Sequence, residues 1–154
     1  MLLYLLLKWV HILAAITALG ANITYGLWIS RAAKDPQALP FVLHTVRILD
    51  SRIANPAYAL LLVTGIALVI VAPWPWTTPW ILVSLILYVT AFLLGILVYA
   101  PAFRRQIALA ESPAGPGSPE YAAAARRSNI LGIVVTLIVV AIVYLMVVKP
   151  PLWA

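Results

Sequence analysis

The chain has 154 residues, of which 65% are hydrophobic and only 9% are charged. Soluble domains average about 45–50% apolar and about 25% charged residues, so a water-soluble fold could not bury this much apolar surface. The net charge of +6 would suggest nucleic acid in a soluble protein. Here the basic residues border apolar stretches, which favours membrane lipids as partners and excludes nucleic acid. Without cysteine there is no disulfide, thiol nucleophile or cysteine metal site.

The first apolar stretch, residues 2–30, is long enough to cross the hydrocarbon core of a bilayer, which needs roughly 20 helical residues. A cleaved signal peptide would begin with positive charge and have a short apolar core. Here the only early charge, Lys8, lies inside the run. The sequence therefore predicts a retained transmembrane helix.

An amphipathic segment follows, after a start signal at Asp35-Pro36. Apolar residues recur at helical spacing along it: Leu39, Val42, Leu43, Val46, Leu49 and Ile53. We expect a short amphipathic helix lying along the membrane surface, with Arg47 and Asp50 as an exposed ion pair at i,i+3. A second cap-and-proline signal, Asn55-Pro56, predicts the start of the next membrane helix, residues 56–72.

The third predicted helix covers residues 79–110, with its membrane part at 80–100 and a kink at Pro101. A loop rich in proline, glycine and serine then precedes the fourth helix, residues 119–148, whose membrane part is 130–148. Ser118 is the expected N-cap of this helix. The sequence thus predicts an all-α fold with a single domain over residues 1–154. Its form is a four-transmembrane-helix bundle with a short amphipathic surface helix between helices one and two.

The distribution of basic residues predicts the orientation of the chain. Eight of the ten Lys and Arg residues lie in the first and third connections: Arg31, Lys34, Arg47, Arg52, Arg104, Arg105, Arg126 and Arg127. The positive-inside rule makes those connections cytoplasmic, so both termini face outward. Five tryptophans fall at the opposite boundary, as an interfacial aromatic belt requires: Trp9, Trp74, Trp76, Trp80 and Trp153.

Small and polar residues at three- and four-residue spacing predict which helix faces meet inside the bundle. The polar members of this interior stripe are His11, Asn22, Tyr25, Ser84, Tyr88, Thr136 and Tyr144. Such faces allow close helix approach and interhelical hydrogen bonds whatever a membrane bundle does. We therefore interpret the stripe mainly as packing.

His11 is the single position that most suggests chemistry, because an ionisable side chain inside a membrane helix is costly. Its imidazole is a candidate axial ligand of haem b, a proton relay, or a hydrogen-bond donor to a hydroxyl of helix three or helix four. The only other histidine, His44, is predicted on the cytoplasmic side, too far away to share a haem. The four carboxylates lie in loops or at helix edges by this prediction, which argues against cation-coupled pumping. No catalytic or metal motif is evident.

Three segments resemble a bacterial family of predicted integral membrane proteins, domain of unknown function 2269. They are the opening Tyr4 to Leu13, the stretch from Asn55-Pro56 to Gly65, and the closing Tyr144 to Pro150. This resemblance covers nearly the whole chain and implies a four-helix protein of the inner membrane, with no established activity.

The opening Lys8-Trp-Val-His11 is also similar to the first helix of haem-binding membrane protoporphyrinogen oxidases and copper-resistance membrane domains. This second resemblance implies His11 as a haem ligand. The oxidase pattern has a histidine and a lysine in a later helix, and residues 80–100 contain neither.

We therefore expect a non-enzymatic accessory protein, or a module that binds a small apolar ligand or a lipid, associated with other membrane subunits or a second copy. The alternative is a membrane redox protein that binds haem b through His11. A small transporter is a third, weaker hypothesis.

Overall fold

The computed structural model describes residues 1–153 and is 82% helical, with no strand in that range. Four helices in the described chain are long and apolar enough to cross a membrane: α1 (Leu2–Ala32), α2 (Leu39–Val71), α3 (Pro79–Ala110) and α4 (Pro119–Val148). The all-α, four-helix prediction is confirmed.

Two pairs of consecutive helices pack against each other, α1 with α2 and α3 with α4. Helix α1 packs against α2 and α4, and α3 packs against α4 along much of its length. The N-terminal part of α2 also contacts the C-terminal part of α3. One end of the bundle, here called the basic end, therefore contains the first and third connections and the helix ends beside them, which together carry the eight basic residues. The second connection and both termini lie at the other end, here called the tryptophan end.

The hydrophobic core lies at the basic end, not in the middle of the bundle. Its buried members come from all four helices: Tyr25, Ala32, Leu39, Leu43, Val46, Ala54, Phe103, Ile107, Ala110 and Tyr121. In the apolar spans most large side chains point outward, as expected where lipid tails solvate them as well as other side chains do. Water borders the basic end, so apolar burial stabilises the fold there.

The amphipathic segment is helical but differs from the expected surface helix. It forms the first part of α2, Leu39–Leu49, and continues without interruption into the membrane part, Asn55–Val71. Its apolar face, with Leu39, Leu43 and Val46, is buried in the core at the basic end. The amphipathic pattern was thus correctly identified, but that face packs against protein helices.

Two π-helical turns interrupt the long helices, Asp50–Ala54 in α2 and Gly95–Tyr99 in α3. In each case the following residue donates its N–H to the carbonyl five positions back, and a proline comes next, Pro56 or Pro101. A proline inside a helix has no N–H and its ring crowds the carbonyl four residues before it. The wider turn accommodates that ring. Asn55-Pro56 therefore lies within α2 and does not mark the beginning of a helix.

Ser118 caps α4 as predicted, because its hydroxyl accepts the Tyr121 N–H at 3.2 Å. At the tryptophan end, Lys149 closes α4 in a left-handed conformation with φ of 50°. Its ammonium group lies 5.6 Å from the Trp74 ring centroid and 5.0 Å from that of Trp80. These cation–π contacts join the end of α4 to the second connection.

Candidate functional site

His11 forms a polar contact between α1 and α2. Its Nδ1 lies 2.8 Å from the Thr64 hydroxyl oxygen. That hydroxyl donates its own hydrogen to the Leu60 carbonyl at 2.6 Å, so it accepts from His11, and Nδ1 is the protonated nitrogen. A Cβ at Gly65 would come within 3.2 Å of the imidazole Cε1. The imidazole ring therefore packs directly against the α2 backbone at Gly65, which has no side chain.

Two other residues of the predicted interior stripe, Asn22 and Tyr88, form hydrogen bonds to a neighbouring helix. The Asn22 amide donates to the Tyr58 hydroxyl, and the Tyr88 hydroxyl donates to the Tyr58 carbonyl at 2.8 Å. Ser84 is buried and its hydroxyl has no hydrogen-bond partner within the described residues. The Thr136 hydroxyl bonds to the Gly132 carbonyl of its own helix at 2.8 Å.

Tyr144 is the exception, because it is 57% exposed on the outer surface of α4. The buried positions of this helix include Ser128, Val139 and Leu145. The next residue, Leu145, lies about 100° further around the helix and is buried in its place. Tyr144 as an interior residue was thus a wrong prediction.

The two histidines belong to different parts of the molecule. The His44 Nε2 lies 2.6 Å from a Glu111 carboxylate oxygen at the basic end, and both side chains are about half exposed. His44 thus joins α2 to the loop before α4. No group of three or more His, Cys, Asp or Glu side chains that could hold a metal occurs in residues 1–153. Any haem iron on His11 would have to bind at Nε2, because Thr64 occupies Nδ1.

Sequence reasoning missed Asp50 as an interior residue. The expected ion pair with Arg47 is not formed, since His44–Glu111 is the single salt bridge among the described residues. Asp50 lies instead on the π-helical turn of α2, half-buried, and accepts a 3.4 Å hydrogen bond from the Asn55 amide. The nearby Asn55-Pro56 was the available signal, because a proline within a helix often marks a local distortion.

A groove runs between α3 and α4 at the basic end. One cavity of about 310 Å³ is lined by Ala102, Arg105, Glu120, Ala123, Ala124 and Arg127. An open depression on the surface of α4 adjoins it and is lined by Ala123, Arg126, Arg127, Ile130 and Leu131. Together they form the arginine groove, with three guanidinium groups and one carboxylate. It opens at Ile130, where the apolar part of α4 begins.

A family model described as "Predicted integral membrane protein (DUF2269)" matches residues 5–150. No curated protein and no solved structure matches the chain.

Proposed function

We propose that this chain, which belongs to the DUF2269 family of predicted integral membrane proteins, is a non-enzymatic membrane protein whose arginine groove binds the headgroup of an anionic phospholipid. The observation that carries the proposal is that Arg105 and Arg127 line the groove between α3 and α4, and Arg126 lines the adjoining depression on α4. Guanidinium groups bind phosphate through paired hydrogen bonds, and basic pockets between membrane helices are suited to anionic headgroups.

The surface beside the groove suits the acyl chains of the same lipid. From Ile130 onward, α4 presents exposed apolar side chains along one face: Ile130, Ile133, Val134 and Leu137. A phospholipid whose phosphate binds the arginines would place its acyl chains beside these side chains. One lipid molecule would then contact both the groove and the apolar face of α4. Glu120 reduces the positive charge of the groove but leaves it net positive.

Lipid binding to the purified protein, measured by native mass spectrometry with phosphatidylglycerol and phosphatidylcholine, tests the proposal. Basic residues near a membrane surface contribute about 1 kcal/mol each. Replacing Arg126 and Arg127 by alanine should therefore weaken phosphatidylglycerol binding by about 30-fold. The matched control removes two exposed charges at the same end but outside the groove, Arg31 and Lys34. Equal losses in the two double variants, or no preference for the anionic lipid, would refute a specific site.

We propose further that the protein lies in the bacterial inner membrane with the basic end cytoplasmic and both termini outside, which the eight basic residues support. Cysteines introduced at Thr77 and Gly115 test this orientation in intact cells. An impermeant thiol reagent added outside should label the Thr77 site alone. Labelling of the Gly115 site alone would reverse the assignment.

A haem b redox protein is the second candidate. It is favoured by one observation, that the hydrogen bond from Nδ1 to Thr64 fixes the tautomer in which Nε2 carries the lone pair for an iron. An absorption spectrum of the detergent-purified protein tests it directly. A Soret band that disappears in His11→Ala would support a haem on this histidine. A colourless, fully inserted protein would refute it.

A further inference from the structure

We propose that the lipid bound at the arginine groove carries two phosphate groups, as diphosphatidylglycerol (cardiolipin) does, and that Arg127 contacts both of them. One phosphate would lie in the cavity between α3 and α4 and the other in the adjoining depression on α4. This assignment rests on the proposed function of the same site, and it names the class of lipid that the site takes.

The arginines are divided between two surfaces that have one arginine in common. Arg105 of α3 and Arg127 of α4 line the cavity between the helices, whereas Arg126 and Arg127 line the depression. Consecutive residues of an α-helix point about 100° apart, which accounts for Arg126 lining the depression alone. Arg127 therefore lies between the other two arginines, and an anion on either side of it contacts two guanidinium groups.

The charge of the two surfaces matches two phosphates better than one. Three arginines and Glu120 together give them a net charge of +2. His44–Glu111 is the single salt bridge among residues 1–153, so none of these arginines is paired with Glu120 or with another carboxylate there. A phosphodiester carries one negative charge. Phosphatidylglycerol would thus leave one positive charge unbalanced, whereas a lipid with two phosphodiesters would balance both.

Small side chains leave room for a headgroup between the arginines. The cavity of about 310 Å³ lies over Ala102, Ala123 and Ala124, and Ala123 also lines the depression. No bulky side chain is common to both linings except that of Arg127, which is itself a phosphate ligand. A short glycerol bridge between two phosphates would therefore cross from one surface to the other at Ala123.

Both helices of the groove offer apolar surface for a lipid with four acyl chains. Ile130 and Ile133 of α4 are exposed in its membrane part, and Leu93 and Leu97 are exposed in the membrane part of α3. A free phosphate ion would make no use of this surface, because only apolar groups gain from contact with it. The combination of two anionic positions and apolar flanks therefore favours a lipid.

Native mass spectrometry of the detergent-purified full chain tests the assignment, with cardiolipin, phosphatidylglycerol and phosphatidylcholine at equal concentration. Cardiolipin would contact three arginines and phosphatidylglycerol two, and one more basic residue is worth about five-fold in affinity. Arg105→Ala and Arg126→Ala should each remove this five-fold preference, because phosphatidylglycerol can still bind the remaining pair. Arg127→Ala should weaken the binding of both lipids. Arg104→Ala, at an exposed neighbour that lines neither surface, should change neither.

Equal binding of cardiolipin and phosphatidylglycerol, with both above phosphatidylcholine, would overturn the two-phosphate assignment and leave the proposed function intact. No preference of either lipid over phosphatidylcholine would overturn both. The assignment also fails if the cardiolipin preference persists in Arg105→Ala and Arg126→Ala, or if Arg104→Ala removes it equally. An excess of inorganic phosphate should not displace cardiolipin, and displacement would show a site for free phosphate in place of a lipid.

Discussion

Replacing Thr64 with valine tests whether His11 acts through its contact between α1 and α2. Valine preserves the shape of threonine but removes the oxygen that accepts the 2.8 Å hydrogen bond from Nδ1. Thr64 is only 4% exposed, so water cannot easily replace that oxygen. A buried donor left unpaired costs about 1–3 kcal/mol. Interhelical hydrogen bonds in a membrane protein average about 0.6 kcal/mol and reach about 1.7 kcal/mol in double-mutant cycles.

A cycle of Thr64→Val, His11→Phe and the double variant isolates the pairwise energy. Phenylalanine retains a ring against Gly65 and removes the donor. We expect a coupling free energy of about 0.6–1.7 kcal/mol, measured from reversible unfolding of the protein in mixed micelles. Thr64→Ser should preserve most of the stability because it retains the hydroxyl. Additive effects of the two single substitutions would refute an energetic role for the contact.

The remaining predictions concern packing. Gly65→Ala should destabilise the protein by about 1–3 kcal/mol, because its Cβ would lie 3.2 Å from the His11 ring. The loss should largely disappear in a His11→Ala background, and a loss of the same size there would contradict this explanation. Leu43→Ala should cost about 2–5 kcal/mol of unfolding free energy, since Leu43 is 0% exposed. Phe41→Ala, at a neighbouring residue that is 75% exposed, should change it little, and equal effects would contradict a core at the basic end.

Helix positions were predictable because they depend on local signals. The length of each apolar run set the spans, and the capping hydroxyl of Ser118 marked the start of α4 correctly. Asn55-Pro56, like Ser118-Pro119, is a capping residue followed by proline, yet it lies inside α2. A local pattern cannot distinguish the two cases, because the distinction depends on whether residues before the proline pack against other helices. The burial of Leu39, Leu43 and Val46 in the core, where this part of α2 packs against α1 and α3, is such a long-range contact.

The interior stripe was predictable only in part for a related reason. Periodicity identifies a polar face, but the partner helices decide which face turns inward. In the structure Tyr25 is buried and His11 contacts Thr64 of α2, whereas Tyr144 lies on the outer surface. Asp50 was predicted at a helix edge because nothing in its local sequence shows that α2 continues through it as a π-helical turn packed against α1. Thr64 was missed because one hydroxyl in an apolar run gives no periodic signal.

The π-helical turn at Gly95–Tyr99 determines which side chains in the C-terminal part of α3 face the other helices. Phe103 follows Ser84 by nineteen residues, or about 5.3 turns at 3.6 residues per turn. An uninterrupted α-helix would therefore rotate the two side chains about 100° apart, but both are buried. The wider turn absorbs one residue and restores five whole turns. Deleting one residue there, for example Leu97, would place Phe103 eighteen residues after Ser84, which is five whole turns of a regular α-helix. The turn should then become α-helical with Phe103 and Ile107 still buried. Inserting one residue should instead rotate both side chains about 100° away from their neighbours.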